Sequence, residues 1–377
     1  MAMQAAQACL HRTCVYSRSG ERYEVANPTS QRYAFWFRNH DVHRQSLKPS
    51  SQRAGAASVL RRVCSFPKPT NLVRVHVLGS AAGGGFPQWN CNCRNCDGLR
   101  RGTIRAQPRT QSSLALSGNE TDWLLCNASP DILTQLRAFP ALQPARAIRD
   151  SAIRSVLLMD AQIDHVTGLY MLREHREPLN IWCTEPVRED LERGNPLFRL
   201  LDHYCGVAWH RIPLDGSQFI MAQIPGLSFS ALPLHSNAPP YSPHRDRPVA
   251  GDNIGLLVED SATGKRLFYA PGVGAIEPRL RDAMQRADAL LIDGTCFHDD
   301  ELIALGVSKK RARDMGHLAQ AGAGGMLEQL AHLPAATRKI LIHINNTNPI
   351  LDENSAEHAL VRAAGVELAY DNLDFRL

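Results

Sequence analysis

The 377-residue sequence holds no apolar run approaching the roughly 18–20 residues that a membrane-crossing helix needs, so bilayer insertion is not expected. Met1–Leu10 lacks a basic segment followed by a long apolar stretch, which argues against a secretory leader and for a cytoplasmic protein. No internal repeat of fixed period is present, so the chain is not read as a solenoid or propeller. Positive charge is also scarce where a nucleic-acid surface would need it. The formal net charge is +5, but residues 1–72 carry 11 Lys and Arg against 3 Asp and Glu, which leaves the remainder at −3. A nucleic-acid partner is therefore not expected, because the basicity sits outside the part that reads as folded.

What is present is ordinary for a globular chain, with 44% hydrophobic and 21% charged residues. Of the ten cysteines, Cys91, Cys93 and Cys96 fall within six residues. A secreted disulfide scaffold spreads its cysteines along a short chain, whereas tight clustering reads as a metal site in a reducing compartment. All ten are therefore read as thiols or thiolates.

Residues 1–72 are rich in Arg, Ser and Gln and show no sustained period. They are expected to be a disordered basic extension, with one apolar spot at Tyr33, Phe35, Trp36 and Phe37. A single domain is expected over residues 73–377. It opens with an alternating strand, Val73–Leu78, and a Gly-rich turn, Gly79–Gly85. Further short apolar runs occupy Trp123–Cys126, Val156–Met159, Asn180–Cys183, Ile254–Val258, Leu267–Tyr269, Ala289–Ile292, Lys339–Ile342 and Val366–Tyr370. Helical patterns at Val166–Arg173, Pro278–Arg286, Gly324–Leu333 and Ser355–Ala364 interleave them. So many strands, some adjacent and some separated by helices, imply two sheets with helices outside.

Three stretches carry chemistry. In Met159-Asp-Ala-Gln-Ile-Asp-His-Val-Thr-Gly-Leu169 a strand is expected to end at Met159 and a helix to begin after His165, which puts Asp164 and His165 in a loop at a strand's carboxyl end. A carboxylate beside an imidazole binds a divalent ion if other ligands converge; an Asp that merely caps a helix is the alternative. In Trp89-Asn-Cys-Asn-Cys-Arg-Asn-Cys96, three thiolates can close around one Zn²⁺. The fourth ligand is open: Cys126 or a residue in the loop after His343 are the options, and Asn346 is a poor zinc ligand. Buried thiols without metal are the bland alternative. The turn Gly79–Gly85 does not match Gly-x-Gly-x-x-Gly, so nucleotide binding is not expected, and tight backbone near the cysteines accounts for the glycines. The Pro-rich loop Ser236–Arg245 reads as a lid or binding edge, where Tyr241, His244 and Arg245 contact an acidic substrate, with a merely exposed loop as the equal alternative.

The 159–169 segment resembles the metallo-β-lactamase signature His-x-His-x-Asp-His followed by Gly-Leu, with Asp160 and Gln162 in place of the first two histidines. His235, Asp293 and His343 follow in the superfamily's order, each behind an apolar run, and His317 stands where phosphodiesterase-like members carry an extra catalytic histidine. The resemblance implies an α/β fold, the αββα sandwich of two mixed sheets flanked by helices. The two missing histidines imply one metal, held by Asp164, His165, Asp293 and His343. Phe86-Pro-Gln-Trp-Asn-Cys-Asn-Cys, Cys126-Asn-Ala-Ser-Pro-Asp131, Ser236–Tyr241, Gly251–Gly255, Asp293-Gly-Thr295 and His343–Pro349 together resemble the PqqB family of pyrroloquinoline quinone (PQQ) biosynthesis over residues 73–377. That resemblance implies a non-haem Fe(II) oxygenase that uses O₂ to hydroxylate the tyrosine ring of a small Glu–Tyr-derived precursor, with other PQQ biosynthesis proteins as partners. In that scheme His235 and His317 act on protons or orient substrate, Asp160 and Gln162 line the vacated first site, and Cys91, Cys93 and Cys96 hold a structural zinc. A soluble carrier of PQQ or its precursor toward the periplasm is the alternative function, and hydrolysis a third that the missing histidines weaken.

Overall fold

A computed structural model describes residues 72–377 and, upstream, the short antiparallel pair Val15–Tyr16 (β1) and Arg22–Tyr23 (β2). The expected disorder of residues 1–72 and their apolar spot otherwise lie outside the described residues.

Strands β3 (Arg74–Gly79), β4 (Ser113–Ser117), β5 (Trp123–Cys126), β6 (Ile153–Leu157), β7 (Leu179–Cys183) and β8 (Val207–Arg211) lie side by side in chain order. Strands β9 (Phe219–Ile220), β10 (Leu227–Pro233), β11 (Ile254–Asp260), β12 (Arg266–Ala270), β13 (Ala289–Asp293), β14 (Arg338–Ile342) and β15 (Glu367–Leu368) form a second sheet, again in chain order, and β16 (Asp374–Arg376) returns to flank β3. Each seven-stranded sheet is mixed: it starts antiparallel and turns parallel from β5 onward in the first and from β12 onward in the second.

The burial of side chains explains the layers. Val75, Leu116, Leu124 and Leu157 of the first sheet pack against Phe229, Leu256, Tyr269, Leu291 and Ile340 of the second. The outer face of the first sheet is covered by Ile132, Val166, Leu169, Val187 and Leu197. Helices Pro278–Gln285, Met326–Ala331 and Ala356–Ala363 cover the second through Leu280, Met284, Met326, Leu330 and Val361. Central strands such as β5 and β13 are buried along their whole length because a layer lies on each side of them. This is the expected αββα sandwich.

Five strands of the two large sheets escaped the sequence reading, β4, β8, β9, β10 and β16, as did the short pair β1 and β2. In β10 (Leu-Ser-Phe-Ser-Ala) the buried residues do alternate, but serine weakens the apolar signal. The helix expected to start after His165 instead starts at Ile163, with Gln162 in the capping position, so Asp164 and His165 lie on its first turn. Two short ladders join the sheets where their strands end. On one side Ile254 N–H donates to the Met159 carbonyl (2.9 Å) and Asp160 bridges Asn253; on the other Ala82 N–H donates to Ile344 (2.9 Å) and Ile344 N–H to Ser80 (3.0 Å). The residues that carry chemistry gather between these two stitches.

Candidate metal centre

From the first sheet, the turn after β6 delivers Asp164 and His165. From the second, β13 ends on Asp293, and His343 follows the last residue of β14. The chain turns sharply there, since His343 sits at φ +59°, a left-handed conformation that costs a non-glycine residue about 1–2 kcal/mol. Thr295 holds it in place. The Thr295 hydroxyl lies 2.6 Å from Asp293 Oδ1, 2.9 Å from His343 Nδ1 and 3.0 Å from the His343 carbonyl. A hydroxyl has one proton, and the short contact assigns it to Asp293, which leaves Thr295 to accept from His343 Nδ1–H. His317 Nδ1 lies 2.7 Å from Asp293 Oδ2, and His165 Nδ1 lies 2.7 Å from Asp160 Oδ1.

All three imidazoles therefore have Nδ1 engaged, and this fixes the rings with Nε2 available. His343 Nε2 stands 3.2 Å and His165 Nε2 3.7 Å from Asp164 Oδ2. The His165 Nε2 atom is buried and has no hydrogen-bond partner among the described residues. Asp164, His165 and His343 bring one ligand atom each to within 4.8 Å of one another, as do Asp293, His317 and His343. Two overlapping trios share His343.

The electrostatics fit a cation. Burial alone would push the His165 imidazolium down, but Asp160 and Asp164 outweigh it and raise the group to about 9. Burial opposes ionisation of Asp164, yet His165 and His343 hold its carboxyl well below the usual range; Asp293 is lowered in the same way, against burial, by His317 and His343. A proton on His165 offsets the neighbouring carboxylates, and a divalent ion can displace it. An orphaned buried nitrogen beside a carboxylate and a second free imidazole nitrogen fits a borderline ion such as Zn²⁺ or Fe²⁺. Gly83 makes room for the cluster: a Cβ there would stand 3.3 Å from the Asp164 carboxyl, so this part of the glycine run serves this centre, whereas Gly79, Gly84 and Gly85 approach Gln111, Gln88 and Arg109 and not the cysteines.

The other expected site residues are placed differently. Asp160 does not line an open first site: it is 2% exposed, and its Oδ1 also accepts from Gln162 N–H (2.9 Å). Gln162 turns its side-chain amide to the Asn237 carbonyl (3.1 Å). His235 is exposed, beside Gly274, and outside both trios. The three residues expected to contact substrate are engaged within the protein. The Tyr241 hydroxyl donates to the Ala161 carbonyl, Arg245 to the Ala238 carbonyl, and His244 Nε2 lies 2.8 Å from Glu189. They hold the 236–245 loop, a correction to their reading as substrate contacts. Thr295, missed as an anchor, carried one signal, a hydroxyl two residues after Asp293 at a strand end.

Cys91, Cys93 and Cys96 converge within 4.8 Å at the start of helix Arg94–Arg101. Burial, reinforced by the neighbouring cysteines, pushes the Cys93 thiol up to about 12, so a thiolate at Cys93 needs a cation, whereas burial of Cys91 is outweighed by hydrogen bonds from Cys93, Cys96 and Asn346, which lower it. Cys126 is not a fourth ligand, because it is buried in the core between the sheets. Instead the Asn346 side-chain nitrogen lies 3.2 Å from Cys96 Sγ and 3.8 Å from Cys93 Sγ, and Asn95 Nδ2 donates to the Asn346 and Asn348 carbonyls (3.1 and 2.8 Å). The loop that begins at His343 thus runs from one cluster to the other.

Residues 122–344 match the Beta-lactamase superfamily domain. Coenzyme PQQ synthesis protein B of Azoarcus sp. is 64% identical over 301 residues, which cover 80% of this chain and 99% of that protein. The chain belongs to the PqqB family. The Cupriavidus necator PqqB is 59% identical over 306 residues, covering 81% of this chain and 100% of the relative. The crystal structure of Zn²⁺-bound PqqB from Methylobacterium extorquens matches at a TM-score of 0.73 and 36% identity, over 81% of this chain and 100% of that one. A diphosphatase of the PhnP family, at a TM-score of 0.56 and 16% identity over 81% of this chain and 98% of its own, shares the fold with PqqB. Among the described residues no helix is long and apolar enough to cross a membrane.

Proposed function

We propose that this PqqB-family chain acts in PQQ biosynthesis as an Fe(II)-dependent oxygenase that hydroxylates the tyrosine ring of a Glu–Tyr-derived precursor. The observation that carries the reading is the buried, unpartnered His165 Nε2 facing Asp164 and His343. Asp164, His165, Asp293 and His343 would hold one ion. Two imidazoles with one or two carboxylates leave coordination positions open, the ligand set of non-haem iron oxygenases. When bound, Fe(II) supplies the activation of O₂.

The protein's own groups prepare the site. Asp160 and Thr295 fix the rings of His165 and His343. His317, anchored through Nδ1 to Asp293, keeps Nε2 for taking a proton from a substrate phenol or returning it. His235, exposed, is assigned to orienting the substrate. Asp160 and Gln162 bond inward where dinuclear hydrolases of the fold place histidines, and this favours one ion over two. Other PQQ biosynthesis proteins would supply the precursor and take the product.

The test is anaerobic loading with Fe(II), then addition of O₂, the cross-linked Glu–Tyr precursor and ascorbate, which supplies the two electrons that reduce the second oxygen atom to water for each ring hydroxylation, with a precursor-free control for background uptake. Oxygen uptake matched by a gain of ring oxygen is expected with Fe(II) and not with Zn²⁺. Binding without uptake would make the protein a carrier, and product formed without O₂ would make it a hydrolase; either overturns the reading.

A further inference from the structure

We propose that Asn253 is a positioning residue of the metal centre: by donating from Nδ2 to Asp160 Oδ2 it fixes the carboxylate that orients His165. The two Asp160 oxygens do different work. Oδ1 lies 2.7 Å from His165 Nδ1 and accepts from Gln162 N–H at 2.9 Å. The hydrogen bond to Oδ2 comes from Asn253 Nδ2, at 3.3 Å. Rotation of a carboxylate exchanges its oxygens, so a donor on Oδ2 holds Oδ1 against the imidazole. Removing that donor leaves a 2%-exposed anion with an unpaired oxygen, a loss that costs about 1–3 kcal/mol or more and is relieved if the carboxylate turns.

Asn253 reaches Asp160 across the seam between the sheets. It precedes β11 of the second sheet, and Asp160 follows β6 of the first. The backbone bridge Asp160–Asn253, Ile254 N–H on the Met159 carbonyl (2.9 Å) and Leu234 N–H on the Asn253 carbonyl (3.0 Å) set its position. The asparagine's other end argues that its donor is what matters. Asn253 is 4% exposed and its Oδ1 is buried with no partner among the described residues, so a residue serving only to fill space would sit there at lower cost as an apolar side chain. Gly272 leaves it room, since a Cβ at that position would stand 3.1 Å from Asn253 Nδ2. The orientation of a ligand from one sheet thereby depends on an amide from the other. This inference holds for any divalent ion at the cluster and does not rest on the oxygenase reading.

The experiment reads metal alone. Zn²⁺ affinity of the strand-end cluster is measured by chelator competition, with the cysteine cluster as internal reference, and the Co²⁺-loaded protein gives a visible spectrum. Asn253→Leu should weaken the strand-end affinity about 10–100-fold, alter the Co²⁺ spectrum and leave the cysteine cluster unchanged. Asp160→Asn combined with Asn253→Leu should bind no more weakly than Asp160→Asn alone, because both act through His165. Gly272→Ala, whose Cβ would press on Asn253 at 3.1 Å and make only ordinary van der Waals contact with His317 at 3.8 Å, should weaken affinity in the same direction by less. If Asn253→Leu fails to fold, Gly272→Ala and Asp160→Asn decide. Wild-type affinity in Asn253→Leu, or in a folded Gly272→Ala when Asn253→Leu cannot be read, overturns the proposal. So do losses that multiply in the double variant. An unmodified chain that takes up Zn²⁺ only at its cysteines overturns it together with the metal-centre reading.

Discussion

The two clusters are built by opposite means. Cys91, Cys93 and Cys96 lie within six residues, and one helix start with its preceding turn brings them together. Asp164 and His343 are 179 positions apart and meet only because two sheets are stitched at their strand ends. The first cluster is a local structure that the fold shelters, and the second is a product of the fold. A local site should survive damage at the seam, whereas the seam site should fail with any loss of register or of the bonds that orient its imidazoles. The loop His343–Asn348 is a place where both meet, since His343 serves the seam and Asn346 touches the cysteines.

The largest effect expected is from His343→Ala. It removes the imidazole shared by both trios, so one metal per chain should be lost and turnover should fall by more than about a thousandfold (a residual rate within tenfold would sink the assignment). Elemental analysis should still find the cysteine-held metal. Cys96→Ser is the converse. It should cost that metal and lower the thermal midpoint by several degrees, while Co²⁺ bound at the seam keeps its spectrum. A change in that spectrum would show that the His343–Asn348 loop couples the clusters.

Glu301 probes the same loop by pH. Its Oε1 accepts from Thr347 (2.5 Å) and its Oε2 from Phe297 N–H (2.9 Å), and burial pushes its carboxyl up to about 7 from an ordinary 4.5. The unfolded chain loses this proton first as pH rises, so stability falls between about pH 4.5 and 7 and levels off above. The shift corresponds to about 2–3 kcal/mol at most. Denaturant titrations at pH 5 and pH 8 should show that loss in the unmodified protein and a smaller one in Glu301→Gln. An equal loss in both would assign the pH dependence elsewhere.

The smallest effect belongs to Tyr241→Phe, which deletes the hydroxyl that tethers the 236–245 loop to the Ala161 carbonyl. A cost of about 1 kcal/mol in stability is expected, with KM changed by less than about tenfold. A larger rise in KM would return Tyr241 to the role of substrate contact.

Much of the fold was legible because apolar runs mark buried strands. Trp123–Cys126 was bounded as found, and the runs at 254–258, 267–269, 289–292 and 339–342 fell inside β11 to β14. The serine-bearing β4 and β10 and the edge strands β8, β9 and β16 were not, since short or half-polar strands owe their place to neighbours more than to their own composition. Among site residues, those following strong strands were legible. Asn253 and Thr295 were recognised only as parts of motifs, because an amide and a hydroxyl have no role until the imidazoles they serve, directly or through Asp160, stand beside them. Tyr241, His244 and Arg245 misled for the same reason: their polar ends found partners at Ala161, Glu189 and Ala238, and only the last of these lies in the loop itself.

By itself the sequence determined the layered α/β class, the family and the cysteine cluster, since each depends on residues close along the chain. Only the tertiary structure decided that Asp160 turns inward to orient His165, that Cys126 lies far from the other thiols, and that His343 belongs to two trios at once. Those outcomes depend on how two sheets register across their seam, and contacts between segments as far apart as Asp160 and Asn253 (93 positions) or Asp164 and His343 (179 positions) leave no periodic trace in either segment.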